Sequence, residues 1–246
     1  TALVLSRPPG DRSLQDHPGL VVPFVAAQDV LVYSWSEELL DRQRAAGLTH
    51  VPLDTPGEMV AAPFNVEVMR RPAVWAGLVG MVGAGVAVTA ALEGAPPKVS
   101  SAPVNLYGAR LQPAVGHPLA TANGVVLFQH VAIAEEAAFR GVIQSGLVRR
   151  TGSELGGWAL GSAAFGGLHA ANALLLPKDE RQDYLAYGVP YITLAGAYLG
   201  LVYHWSDYAM APPTALHFWY DLLIVGLDVA VNPTDGFWSV GWSRPL

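Results

Sequence analysis

The chain contains no cysteine. That excludes disulfides, thiolate metal sites and a cysteine nucleophile. It is also poor in charge. Of its 246 residues only 34 are Asp, Glu, Lys or Arg, 14% against roughly 25% in ordinary soluble domains. Basic excess is missing too: the formal net charge is −6, which leaves no electrostatic footprint for nucleic acid. The first 20 residues hold Pro-Pro and Pro-Gly turns and no apolar core of a secretory signal. Thr1 in place of Met points to a segment upstream of these residues.

The charge deficit is uneven. Four windows, 72–92, 111–134, 155–177 and 184–206, contain no Asp, Glu, Lys or Arg at all. The remaining 155 residues carry all 34 charges, about 22%, close to the soluble norm. Each window is 21 to 24 residues long, and about 20 apolar helical residues cross a hydrocarbon core. The hydrophobic content of 52% and the mean hydropathy of +0.32 agree. An ordinary soluble enzyme and a disordered tail are therefore excluded, and a multi-pass protein of the cell membrane in contact with lipid is expected.

The spans must be α-helical, because lipid satisfies no backbone group and the windows lack the alternation of a barrel. The expected fold is all-α, a transmembrane helix bundle of about five spans. These are Ala73–Leu92, Leu119–Val148, Leu155–Leu176, Val189–Trp205 and Thr214–Val231, with a proline-rich loop over 93–118. Residues 1–71 read as a polar N-terminal region, cytosolic or interfacial. Residues 72–232 read as the membrane domain, with a core at about 119–231, and 233–246 as a tail. Within the N-terminal region, Val21 to Arg42 is an amphipathic helix lying on the membrane or packed on the domain. With the N-terminus inside, the inner segments hold eight Arg or Lys and the outer ones five. The pairs Arg70–Arg71 and Arg149–Arg150 carry most of that difference. Two GxxxG spacings, Gly157–Gly161 and Gly196–Gly200, would allow close helix contact.

A charge inside a spanning helix costs at least about 2.5–3.5 kcal/mol near the centre, so each one needs a reason. Glu135, Glu136 and Arg140 lie in AIAEEAAFRG, His169 in AFGGLHAAN, and His217 and Asp221 in TALHFWYDLL. Positions four apart share a helix face. Glu136 therefore pairs with Arg140, Phe165 lies beside His169, and His217 lies beside Asp221. Glu135 points about 100° away from Glu136 and faces a shared cavity. The bland alternative is one buried ion cluster tying helices together. It suits Glu136 and Arg140 better than Glu135, because one arginine neutralises one carboxylate. His117, His130 and His204 have no such context and read as structural, as do Ser145 and Ser162.

Glu135-Glu136-x-x-x-Arg140, Phe165-x-x-x-His169 and His217-x-x-x-Asp221 resemble, in order and spacing, the three motifs of the CPBP (Abi) intramembrane proteases. That family includes the CAAX prenyl endopeptidases and bacteriocin-processing or immunity proteins. The resemblance covers about 119–231. Gly141 after Arg140, and Asn172 three past His169, also look family-like. Many members have Asn where this chain has Asp221.

The resemblance implies an intramembrane endopeptidase acting on a membrane-associated peptide or protein. Glu135 would activate water, His169 would hold it, and His217 and Asp221 would serve the oxyanion side. A carboxylate in an apolar bundle is a stronger base than one in water, and the oxyanion needs donors. An ionised Asp221 cannot donate, so it is expected either to be protonated or to orient His217. Two His and two Glu are zinc-type ligands. With no HExxH and with Glu136 committed to Arg140, no metal and no cofactor are expected. Two rival readings are a non-catalytic immunity or scaffold protein of the same family and a transporter or proton-relay subunit. The substrate, whether prenylated tail, bacteriocin leader or another peptide, is not written in the sequence.

Overall fold

A computed structural model describes residues 18–93, 98–175, 178 and 181–234. The expected tail from 235 onward lies outside them. Among the described residues the architecture is helical, with one two-stranded hairpin. A long helix α1 (Pro18–Ala45) is followed by a short α2 (Pro56–Ala61), a 3-10 turn (Ala62–Phe64) and α3 (Val66–Met69). Then come α4 (Pro72–Glu93), the antiparallel strands β1 (Val104–Leu106) and β2 (Ala109–Leu111), and α5 (Pro113–Glu136). A π-helical segment (Ala137–Gln144) joins α5 to α6 (Ser145–Thr151). α7 (Glu154–His169) runs into a 3-10 segment (Ala170–Leu175). The single turn α8 (Arg181–Asp183) and a second π segment (Tyr184–Gly188) lead into α9 (Val189–Trp205), and α10 (Ala211–Val231) follows.

The element ends follow local chemistry. Tyr107 and Gly108 both have positive φ, 53° and 83°, the two-residue turn that suits the twist of a tight hairpin. Pro113 opens α5 at a position whose N–H would have no helical partner. Gly152, left-handed at φ 66°, ends α6, and the Ser153 hydroxyl accepts the Gly156 N–H to start α7. Asp54 caps α10 from a distant loop. Its two oxygens accept the Met210 and Ala211 N–H groups at 2.8 and 3.0 Å.

Two of the five expected spans, Arg181–Trp205 and Ala211–Val231, are helices long and apolar enough to cross a membrane. The other three fall short for separate reasons. Among the described residues the apolar stretch of α4 is Pro72–Val88, α7 breaks into 3-10 geometry after His169, and α5 carries Gln, His, Pro and the two glutamates. The proline-rich stretch expected as a loop over 93–118 instead holds the hairpin and the first turns of α5, with Pro118 inside the helix.

Three clusters make up the larger part of the core described. Phe128 and Ala132 of α5 meet Phe218 and Val225 of α10. Val74 and Leu78 of α4 meet Leu199 and Val202 of α9 and Leu216 of α10. Leu40 of α1 meets Met59, Ala137, Tyr203 and Met210. Of the two settings expected for the N-terminal helix, packing on the domain is the one observed. α1 runs parallel to α5 and α6: Tyr33 shares a cluster with Ile133, Leu40 touches Ala137, and Gln43 reaches Arg149. The GxxxG glycines do bring helices close. A Cβ on Gly157 would lie 2.6 Å from the Val148 backbone nitrogen, and one on Gly196 would lie 2.5 Å from the Phe165 ring.

Candidate active site

α5 delivers Glu135 and Glu136 into the bundle in its last turn, exposed by 3% and 0%. The chain then widens into the π segment, a geometry that occurs mostly as short bulges, frequently at functional sites. Arg140 and Gln144 project from this segment on the same side as Glu136. Arg140 Nε lies 3.1 Å from Glu136 Oε2, and its Nη2 donates to the Gly196 carbonyl at 2.8 Å. The guanidinium carbon sits 4.5 Å above the Phe165 ring. Gln144 Nε2 donates to the Gly200 carbonyl at 3.0 Å, one turn further along α9. The Gly196–Gly200 spacing thus offers two carbonyls to two side chains that are themselves one turn apart. Close approach is possible because neither glycine has a Cβ.

His217 enters from the second turn of α10. Its Nδ1 lies 2.7 Å from Glu136 Oε1, so the carboxylate accepts the Nδ1–H and turns Nε2 the other way. Nε2 then faces Glu135 Oε2 at 3.8 Å and Asp221 Oδ2 at 3.5 Å. His169, at the end of α7, is held by the same device with a different acceptor. Its Nδ1 lies 2.8 Å from the Phe165 carbonyl, and its Nε2 faces Glu135 Oε2 at 3.8 Å. The Phe165 ring lies 4.5 Å from the imidazole, and Tyr184 donates its hydroxyl to the His169 carbonyl at 2.8 Å, where α7 ends.

All six residues singled out in the sequence, Glu135, Glu136, Arg140, His169, His217 and Asp221, converge. The expected pairing of Glu136 with Arg140 is present, and Glu136 also tethers His217, a link between helices that no spacing reveals. Asp221 lies beside His217 as its i+4 neighbour. His204 stands apart, 3.8 Å from Glu154, and His117 borders a small cavity of about 20 Å³ between α5 and α10. Among the described residues no set of three His, Cys, Asp or Glu side chains is disposed to hold a metal ion.

Two supporting residues escaped the sequence reading. Gln144 had a usable signal, since Glu136, Arg140 and Gln144 repeat at intervals of four. Tyr184 had none, because its contact depends on how the 178–188 connection folds back on α7.

Residues 117–223 match the family described as Type II CAAX prenyl endopeptidase Rce1-like. No curated protein matches the chain, and no solved structure does. The matched stretch contains all three motifs and all six converging side chains, so sequence family and site geometry coincide. Through residues 117–223 the chain is similar to the Rce1-like family of CAAX prenyl endopeptidases, which is consistent with the CPBP/CAAX protease family.

Proposed function

We propose that this protein is a glutamate-dependent intramembrane endopeptidase, and that α4, the rod from α5 to α6, α7, α9 and α10 cross the membrane. α1, 28 residues long and parallel to α5, enters the same layer as a further helix. Large apolar side chains stay exposed around the bundle, among them Trp75 and Val79 on α4, Val126 on α5, Leu160 on α7 and Leu194 on α9. Such a girdle suits lipid better than water. Arg71 bonds Ser206, and Arg149 bonds Thr49 and Gln43, so the juxtamembrane arginines gather at one end of the bundle. That end is the cytosolic side by the positive-inside rule.

One observation carries the reading: Glu135 Oε2 lies 3.8 Å from Nε2 of both His169 and His217. A water at ordinary hydrogen-bond distance from each group fits between atoms so spaced. Glu135 takes a proton from this water as its oxygen attacks the carbonyl carbon. His169 accepts the second hydrogen through Nε2, since its Nδ1–H is engaged by the Phe165 carbonyl. The carbonyl oxygen becomes an oxyanion and receives a hydrogen bond from His217 Nε2 in its protonated form. Glu136 accepts from its Nδ1–H and Asp221 lies beside its Nε2. Asp221 acts here as the orienting partner of His217, not as a donor. Glu135 then passes its proton to the departing amine as the C–N bond breaks.

The test is cleavage of a library of membrane-anchored peptides by the protein in lipid nanodiscs. Glu135→Gln is expected to lose about 10²–10⁴-fold in rate, the usual worth of a general base. Wild-type rates in this variant would refute the mechanism. A chelator run in parallel is expected to leave activity intact; its loss would replace the reading with a metal-centred one, because one Glu and two His are donors that zinc also takes. Absence of any cleavage, with solute flux in proteoliposomes, would favour a transporter.

A further inference from the structure

His169 is the last residue of α7, and the chain continues from it in 3-10 geometry over Ala170–Leu175. The last carbonyls of an α-helix have no partner within the helix. In a membrane layer water supplies none either, and an unpaired carbonyl there is costly. The His169 carbonyl receives the Tyr184 hydroxyl at 2.8 Å. Tyr184 is 4% exposed, so water does not compete for this bond.

Two bonds thus hold His169. The ring is tied at Nδ1 to the Phe165 carbonyl at 2.8 Å, within α7 itself. The backbone is tied at its carbonyl to a residue 15 positions on. The first bond sets how the ring leans on its own helix, and the second relates that helix end to another element. Tyr184 opens the π segment Tyr184–Gly188, which continues directly into α9. It lies within Arg181–Trp205, one of the two helices long and apolar enough to cross a membrane. π turns are rare and frequently mark functional sites. The Tyr184 ring packs with Ala173, Val189 and Ile192, and the Asn172 side chain interacts with the same hydroxyl. α9 also lies hard against α7, since a Cβ on Gly166 would fall 2.8 Å from the Thr193 Cβ. The end of α7 and the start of α9 therefore form one packed unit around His169, with the Tyr184 hydroxyl as a polar bond between them.

The place of His169 matters through Nε2, which lies 3.8 Å from Glu135 Oε2. A water held by both groups tolerates little change in that distance. We infer that Tyr184 is a positioning residue: by holding the His169 carbonyl, its hydroxyl sets where His169 Nε2 stands relative to Glu135. It acts through His169 and not on the substrate. The consequence for rate rests on the protease reading, whereas the placement of the imidazole is a property of the folded chain.

Tyr184→Phe removes the hydroxyl and keeps the ring. Tyr198→Phe is its control, because Tyr198 also donates to a backbone carbonyl, that of Ala73 at 2.9 Å, on the side of α9 that faces α4. The substrate is the best-cleaved member of the membrane-anchored peptide library, in nanodiscs. Tyr184→Phe should lower kcat at least about tenfold, toward the roughly 10²-fold that a 1 Å misplacement costs, and leave KM unchanged. Tyr198→Phe should cleave as wild type does, even where both variants melt at similarly reduced temperatures. In a His169→Gln background Tyr184→Phe should cost no more than about twofold, because the group it positions is gone. Nitrogen-15 resonances of the imidazoles, assigned with His169→Gln, read the placement without substrate: Tyr184→Phe should move those of His169 and leave those of His217. para-Aminophenylalanine at position 184 keeps a donor in place and should restore most of the rate. It also serves where Tyr184→Phe does not fold, since its N–H···O bond is about 0.2 Å longer and should shift the His169 resonances slightly; resonances identical to wild type would overturn the inference. So would a Tyr184→Phe variant that cleaves at the wild-type rate, or one whose loss is as large in the His169→Gln background. A displaced His169 resonance with no peptide cut by wild type would refute the protease reading and leave the positioning role standing. Wild-type cleavage that Tyr184→Phe does not slow would do the reverse.

Discussion

Replacing Arg140 and Glu136 singly and together by methionine separates what the pair does for folding from what it does for the site. Both side chains are buried, at 2% and 0% exposure, and 3.1 Å apart. Removing one partner of a buried ion pair strands the other and costs about 3–5 kcal/mol. Arg140→Met leaves Glu136 with His217 as its remaining bonded partner, and Glu136→Met leaves the guanidinium with the Gly196 carbonyl. Removing both lets apolar groups of similar length fill the space, which is often neutral to stability. Here the double variant also forfeits the bond to Gly196, so it should sit about 1–3 kcal/mol below wild type, not at the sum of the single losses. Tryptophan fluorescence during denaturant unfolding in micelles reads this directly, the chain having seven Trp. Activity should not follow stability. Without Glu136 the Nδ1–H of His217 has lost its acceptor, and a ring displaced by about 1 Å costs on the order of 10²-fold in rate. The expected result is a refolded, inactive double variant. A double variant no more stable than Arg140→Met would show that the ion pair is not what makes the single change costly. A double variant with restored cleavage would show that Glu136 does not orient His217.

Two other outcomes check the scaffold. Gly157→Ala sets a methyl 2.6 Å from the Val148 backbone nitrogen, an obstacle no rotamer relieves, and should destabilise by about 1–3 kcal/mol in thermal unfolding. Gly146→Ala, with nothing nearer than 3.9 Å, should instead gain about 0.5 kcal/mol from helix propensity; equal effects at the two sites would contradict the packing described. Asp54→Ala removes the acceptor for two N–H groups at the start of α10 and should cost about 1–2 kcal/mol, with Asp54→Asn milder. An unchanged melting temperature in Asp54→Ala would mean that α10 is capped in another way.

Much of the site was legible because its motifs are local. Glu136 with Arg140, Phe165 with His169, and His217 with Asp221 are each four residues apart, and helical geometry alone brings each pair together. The order of the motifs along apolar helices also carried the family. The span boundaries were read less well. Pro113 and Pro118 suggested a loop, yet Pro113 sits in the first turn, where proline costs no helical bond, and Pro118 lies inside the helix, so α5 begins before position 119. The π segment left no trace in the pattern of apolar residues, since a bulge shifts the phase of a helix without changing its composition.

The sequence by itself determined that this chain is helical, apolar and provided with three charged motifs on three helices, because hydropathy and helical period are properties of neighbours along the chain. Only the tertiary structure decided that Glu136 holds His217 across helices, and that Arg140 and Gln144 take the carbonyls of Gly196 and Gly200. Those contacts join residues 56 to 81 positions apart. They depend on which helix faces pack and on the glycines that let backbones approach, and no local period encodes either.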